Sequence, residues 1–342
     1  MGRLHTVEEQ RETLVWGEGY RGEIVSLDSL ALSSIQQSYY LSLRRYFALA
    51  CLSRSTTAPT ELVSGAKSVV FAVRVRIERS IINAIQARLQ AQPEELSCLF
   101  TGSFFGSSKK QGTSVRFPLS TCHPTKLCGP GCYAHDVLDA ATGSVVRGAV
   151  NGAIAHQFEE GTEEARAIIL AHLQAHTRRA VKSALDELKQ LPPDWARRAY
   201  IRFSHVGEIV AFPLFAQALA RQVALLSNDE VDCVVYTRHP KARELDPSLF
   251  VLNFTLDGAS AERRAWIPEE ARIVYSAFGG EISAEADVNF LEHHRWRHLP
   301  PIGEGRVCPA TLPDTLERTC DAVRCDRCFQ RPHHRGQSLP LV

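Results

Sequence analysis

The sequence predicts an α/β fold: a mostly parallel sheet forming a partial (β/α) barrel, with a helical region before it and a cysteine-rich segment after it. Three observations carry this expectation. Short, nearly continuous apolar runs at 199–204, 231–236, 250–256 and 272–278 have the length of strands and are separated by crossover-length connections, the pattern of a parallel sheet buried on both faces. Ahead of them, apolar residues recur at spacings of three and four, as on helices. Cysteines cluster on either side of the strand region, at Cys122, Cys128 and Cys132 and again at Cys308, Cys320, Cys325 and Cys328.

Taken in order, residues 1–25 are polar, and Leu30, Leu32, Ile35, Tyr39, Leu43, Phe47 and Leu52 predict a helix over 27–52. Val70, Val73, Ile77, Ile81, Ile85 and Leu89 predict a second over 69–90, whose other face carries Arg74, Arg76, Arg79 and Arg88 and reads as solvated. The Gly/Ser-rich stretch 100–114 reads as a linker. Its Gly102, Gly106 and Lys109 lack the spacing that cradles phosphate. Residues 115–119 are a short strand candidate, and 136–160, with glycines at 143, 148 and 152, has no regular pattern. Thr162 followed by Glu163 and Glu164 reads as a helix start, and the helix runs to Leu188 before Pro192-Pro193. Pro213 opens another helix through Leu226. A last strand is expected near 297–299. The resulting divisions are a helical region over 1–112, the barrel over 113–304 and a metal-binding segment with a basic tail over 305–342.

The 342 residues carry a net charge of +1, so no global charge points to nucleic acid or an anionic membrane. No run reaches the roughly 18 apolar residues of a membrane span. The chain starts without a secretory pattern, so its ten cysteines are expected in a reducing compartment, by default the cytoplasm, where clustered thiols bind metal.

The first cysteines lie in Thr121-Cys122-His123-Pro124-Thr125-Lys126-Leu127-Cys128-Gly129-Pro130-Gly131-Cys132-Tyr133-Ala134. Prolines and glycines keep this stretch a loop. Three thiolates aimed from a loop are soft ligands that suit an iron–sulfur cluster, zinc or copper(I). The second group, Cys308, Cys320, Cys325 and Cys328, fits a tetrahedral zinc site or a second cluster. The strand at 199–204 runs into His205 and Gly207-Glu208, and the strand at 231–236 into Thr237, Arg238 and His239. Functional groups of such folds gather at these strand ends, where Asn253 and Ser276 are further candidates.

The three-cysteine loop after a first strand and the Gly-Glu turn after a second resemble the radical S-adenosylmethionine enzymes. That resemblance implies a [4Fe-4S] cluster with one open iron on Cys122, Cys128 and Cys132, and Tyr133 at the aromatic position beside the last ligand. It also implies that Gly207 and Glu208 face the methionine moiety of the cofactor, with His205 nearby. The loop has five and then three residues between successive cysteines, where the superfamily has three and then two. From about 117 to 329 the chain is also similar to the phage and plasmid family named after mycobacteriophage gene product 88. The resemblance lies in Cys132-Tyr133-Ala134, His205, Gly207-Glu208, Tyr236-Thr237 and Cys308-Pro309. This second resemblance implies an architecture rather than a reaction, while the first implies an iron–sulfur enzyme that needs an electron donor; no membrane is expected. The alternatives are a non-catalytic iron–sulfur or zinc protein of a mobile element that binds nucleic acid or a partner, and a metal hydrolase using His205 and Glu208.

Overall fold

The computed structural model describes residues 60–108, 112–128, 142–192, 197–278, 282–291, 307–308 and 328–329. The expected helix over 27–52 and strand near 297–299 lie outside the described residues, as do Cys132, Tyr133, Cys320 and Cys325. The chain is α/β, divided into two compact units.

The first unit takes in the chain through Phe104, Arg116–Thr121 and Cys132–Leu173. Helix α1, Thr60–Ala91, starts earlier than its apolar pattern indicated and buries Ile77, Ile81, Ile85 and Leu89. It packs against α2, Thr142–Glu160, a helix in the stretch expected to be irregular. The glycines that obscured it serve close approach. A Cβ on Gly152 would lie 2.8 Å from Pro118 Cγ, and one on Gly148 3.2 Å from the Phe117 carbonyl oxygen. The expected solvated arginine face of α1 also needs correcting at Arg74, which is buried and donates to Glu78 at 2.7 Å. Burial pushes the Glu78 carboxyl up, against the pull of Arg74 and of the Leu119 and Ser120 N–H groups.

The second unit holds Phe105–Val115, Cys122–Gly131 and the chain from Gln174 onward. Its sheet has seven strands among the described residues: β1, Phe105–Ser108; β2, Gly112–Val115; β3, Ala199–Arg202; β4, Val231–Thr237; β5, Phe250–Leu256; β6, Arg272–Ala277; and β7, Val288–Leu291. The first pair is antiparallel and every later pair parallel, in unbroken sequential order. The expected linker at 100–114 therefore contains a hairpin. Its anchor is tertiary: Glu187, on α3 (Glu163–Lys189), accepts from Thr113 Oγ1 at 3.0 Å, and its Oε2 would lie 2.8 Å from a Cβ at residue 112. Gly112 has φ +64°, which glycine adopts without strain. The strand expected at 115–119 ends at Val115, because Pro118 has no N–H to offer a ladder and the chain turns at Leu119–Thr121.

Parallel strands in sequential order, with right-handed crossovers, place their connections on one face. Helix α4, Pro213–Ser227, packs on β4. The other face carries Val234, Val251, Val274 and Val288, and receives Cys308, Cys328 and Phe329. On that face Tyr236 of β4 and Phe290 of β7 have ring centroids 6.2 Å apart. Strands three places apart in a flat sheet are about 14 Å apart, so the sheet curls toward this face.

Candidate functional site

The C-terminal ends of β3, β4 and β5 bring together residues far apart in sequence. After β3 the backbone turns through Gly207, whose φ of +72° is left-handed and favours glycine. This turn buries Glu208 behind it. The Glu208 carboxylate accepts the Thr237 hydroxyl, the Arg238 N–H at 3.3 Å and the His123 N–H. Burial is the strongest influence and outweighs these donors, so the carboxyl is pushed up to about 6. His205 is buried, and its N–H donates to the Val115 carbonyl at 2.9 Å, which continues the β2–β3 pairing.

Asp257 follows β5 and is the second buried carboxylate. It accepts Thr125 Oγ1 at 2.5 Å, Ser260 Oγ at 2.7 Å, the Ala259 N–H at 2.9 Å and the Arg238 guanidinium. Burial disfavours its charge, but the Thr125 hydroxyl and Arg238 more than offset this, with help from Ser260 and Ala259. The carboxyl therefore lies below its usual range. Arg238 also donates to Ser276 at 3.3 Å. Burial works against its charge, but the neighbouring Cys128, Asp257 and Glu208 groups more than offset this.

The described part of the cysteine loop is held to these strand ends. Cys128 N–H donates to Thr125 Oγ1 at 2.9 Å, and Arg263 donates to the carbonyls of His123 and Pro124. The His123 ring stands edge-on to His239 at 4.4 Å and to Trp266 at 6.3 Å. His239 Nδ1 accepts the Lys241 N–H at 3.1 Å. Burial, then the charges of His123 and Lys241, push His239 down to about 4.

Of the sequence-predicted residues, Cys122, Cys128, His205, Gly207 and Glu208 lie in the loop and turn at this end of the sheet. Cys308 and Cys328 are buried together on the curled face, in a cluster with Val274 and Val288. The Cys308 N–H donates to the Asn289 carbonyl, and the Cys328 carbonyl accepts Asn253 Nδ2 at 3.0 Å. Two cysteines twenty positions apart in sequence thus pack in one buried cluster. At the loop, the half-buried Cys128 lies near the buried Arg238 guanidinium, surroundings that suit a thiolate ligand. Among the described residues, no group of three His, Cys, Asp or Glu side chains converges on one point.

Asp257, Thr125 and Arg263 were missed from the sequence. The strand-end rule that drew attention to Arg238 applies equally to Asp257, one residue past β5. Thr125 and Arg263 carry no sequence signal, because their partners lie more than a hundred residues away. No protein-family model matches the chain, and no curated protein or solved structure matches it. Among the described residues, no helix is long and apolar enough to cross a membrane.

Proposed function

We propose that this chain is an iron–sulfur protein built on a radical-SAM-like partial barrel. Cys122, Cys128 and Cys132 would hold a [4Fe-4S] cluster with one open iron, and Cys308, Cys320, Cys325 and Cys328 a second cluster or zinc. The observation that carries this reading is the placement of the cysteine loop at the C-terminal ends of sequentially ordered parallel strands, beside the Gly207–Glu208 turn. With S-adenosylmethionine bound and an external electron donor, such a cluster supplies one electron for reductive cleavage of the sulfonium. The chain's own part is to position and to exclude water. Glu208, Asp257 and Arg263 hold the loop, and Arg238 braces Asp257.

A second reading, a non-catalytic iron–sulfur or zinc protein that binds nucleic acid or a partner, draws on one observation. Glu208, expected to face the cofactor's amino group, directs its oxygens to Thr237, Arg238 and His123 instead. Iron, sulfide and zinc analysis of anaerobically purified protein, with EPR in the presence and absence of S-adenosylmethionine, separates the two. The enzyme reading expects iron and sulfide that fall in Cys122→Ser and Cys128→Ser, and a signal perturbed by the cofactor. Zinc alone, or clusters indifferent to the cofactor, rejects the enzyme reading.

A further inference from the structure

The cysteine loop is gripped at three consecutive residues by side chains that are not themselves metal ligands. Glu208 takes the His123 N–H, Arg263 takes the His123 and Pro124 carbonyls, and Asp257 takes the Thr125 hydroxyl. One atom joins two of the consequences. Asp257 Oδ2 accepts both Thr125 Oγ1 and Arg238 Nη1. Thr125 Oγ1 in turn accepts the Cys128 N–H, which fixes the backbone from which that sulfur projects. Ser260 Oγ and the Ala259 N–H occupy Asp257 Oδ1, so the carboxylate has no freedom to rotate away from Oδ2's partners.

We propose that Asp257 is the positioning residue of the loop's metal site. Through Thr125 it sets the direction of the Cys128 thiolate, and through Arg238 it holds a fixed positive charge beside the thiolate-bearing loop. The inference rests on the loop binding a metal and adds that the protein, not the metal, sets the loop's shape. Groups that orient ligands from the next layer out are each worth about 10- to 100-fold in metal affinity. The buried guanidinium also favours a more negatively charged centre, because charge interacts strongly where water is excluded.

The test is a cobalt(II) titration of full-length, metal-stripped protein, followed by thiolate-to-cobalt charge-transfer absorption. The loop's share of the signal is the part lost in Cys128→Ser. Thr125→Val is expected to weaken that share about tenfold or more, Thr125→Ser to restore it to within about twofold, and Asp257→Asn to behave as Thr125→Val does. The C-terminal share should stay unchanged in all three. If Asp257→Asn does not fold, the Thr125 pair alone decides. A loop signal equally strong in Thr125→Val and Thr125→Ser overturns the role of Asp257 while leaving the metal reading intact. Identical spectra for the unsubstituted protein and Cys128→Ser overturn the metal reading itself.

Discussion

Glu208 and Asp257 lie past the ends of β3 and β5, on either side of β4, touch the same arginine, and differ in charge preference. Asp257 has enough donors to stay ionised, whereas Glu208 is buried more deeply than its donors offset. A carboxyl raised by folding holds its proton more tightly in the folded state. Its contribution is complete below 4.5 and is lost as pH rises through about 6, a span of about 2 kcal/mol. His239 has the opposite sign: lowered from 6.5 to about 4, it costs stability as pH falls through that range. The two slopes oppose each other. Glu208→Gln removes one of them, so the urea midpoint of the metal-free variant should rise more steeply from pH 4 to 6.5 than that of the unsubstituted protein. An unchanged profile would show that Glu208 does not ionise as its burial implies. The candidate positions Gly207 and Glu208 were legible because a Gly-acidic pair directly follows an apolar run. The partners that decide the ionisation of Glu208 were not legible, since Thr237 and His123 reach it only through folding.

At the scale of elements, long amphipathic helices and apolar strands were readable, because burial imposes a period on local sequence. β5 lies at 250–256 as its pattern predicted, and α3 ends one residue past the predicted Leu188. The misses have a common cause. In α2 the glycines that looked like breaks at 148 and 152 are one turn apart, on the face that approaches Phe117 and Pro118. Helix propensity alone favours alanine over glycine by about 1 kcal/mol, yet the Cβ at residue 152 has no space. Gly152→Ala should therefore destabilise the protein, by about 1–3 kcal/mol from overpacking, read as a lower midpoint in urea. A gain in stability would mean that the helix and the Phe117–Pro118 segment are not in close contact. The β1–β2 hairpin is the second case: its four-residue strands are too short and too rich in Gly, Ser and Thr to show alternation, and Glu187 and Ser183 of α3 anchor them across the fold.

At the scale of the sheet unit, the apolar curled face also buries polar groups. Along β5, Val251 and Asn253 lead to Asp257, while Phe250, Leu252, Phe254 and Leu256 occupy the alternate positions. Asn253 is fully buried, accepts Arg272 at 3.1 Å and donates to the Cys328 carbonyl. Phe329 then stacks on Tyr200 at 4.0 Å, and the Arg197 guanidinium lies over both rings. These contacts latch the turn that carries the last cysteine onto the sheet. Breaking a buried hydrogen bond costs about 1–3 kcal/mol, so Asn253→Leu should speed alkylation of Cys328 in metal-free protein about tenfold. Mass spectrometry of the labelled thiol reads this directly, and an unchanged rate would show that the latch does not control access to Cys328.

The α/β class, the strand run from 199 to 277 and the two cysteine groups were settled by local sequence, because periodic burial and clustered thiols leave their mark within a few residues. The order of the strands, the curl of the sheet and the hold of Asp257 and Arg263 on a loop more than a hundred residues away were settled only in three dimensions. The physical reason is that hydrogen bonds and charge pairs depend on distance in space. A threonine, an arginine or an aspartate has the same local appearance whether its partner is water or the other end of the chain.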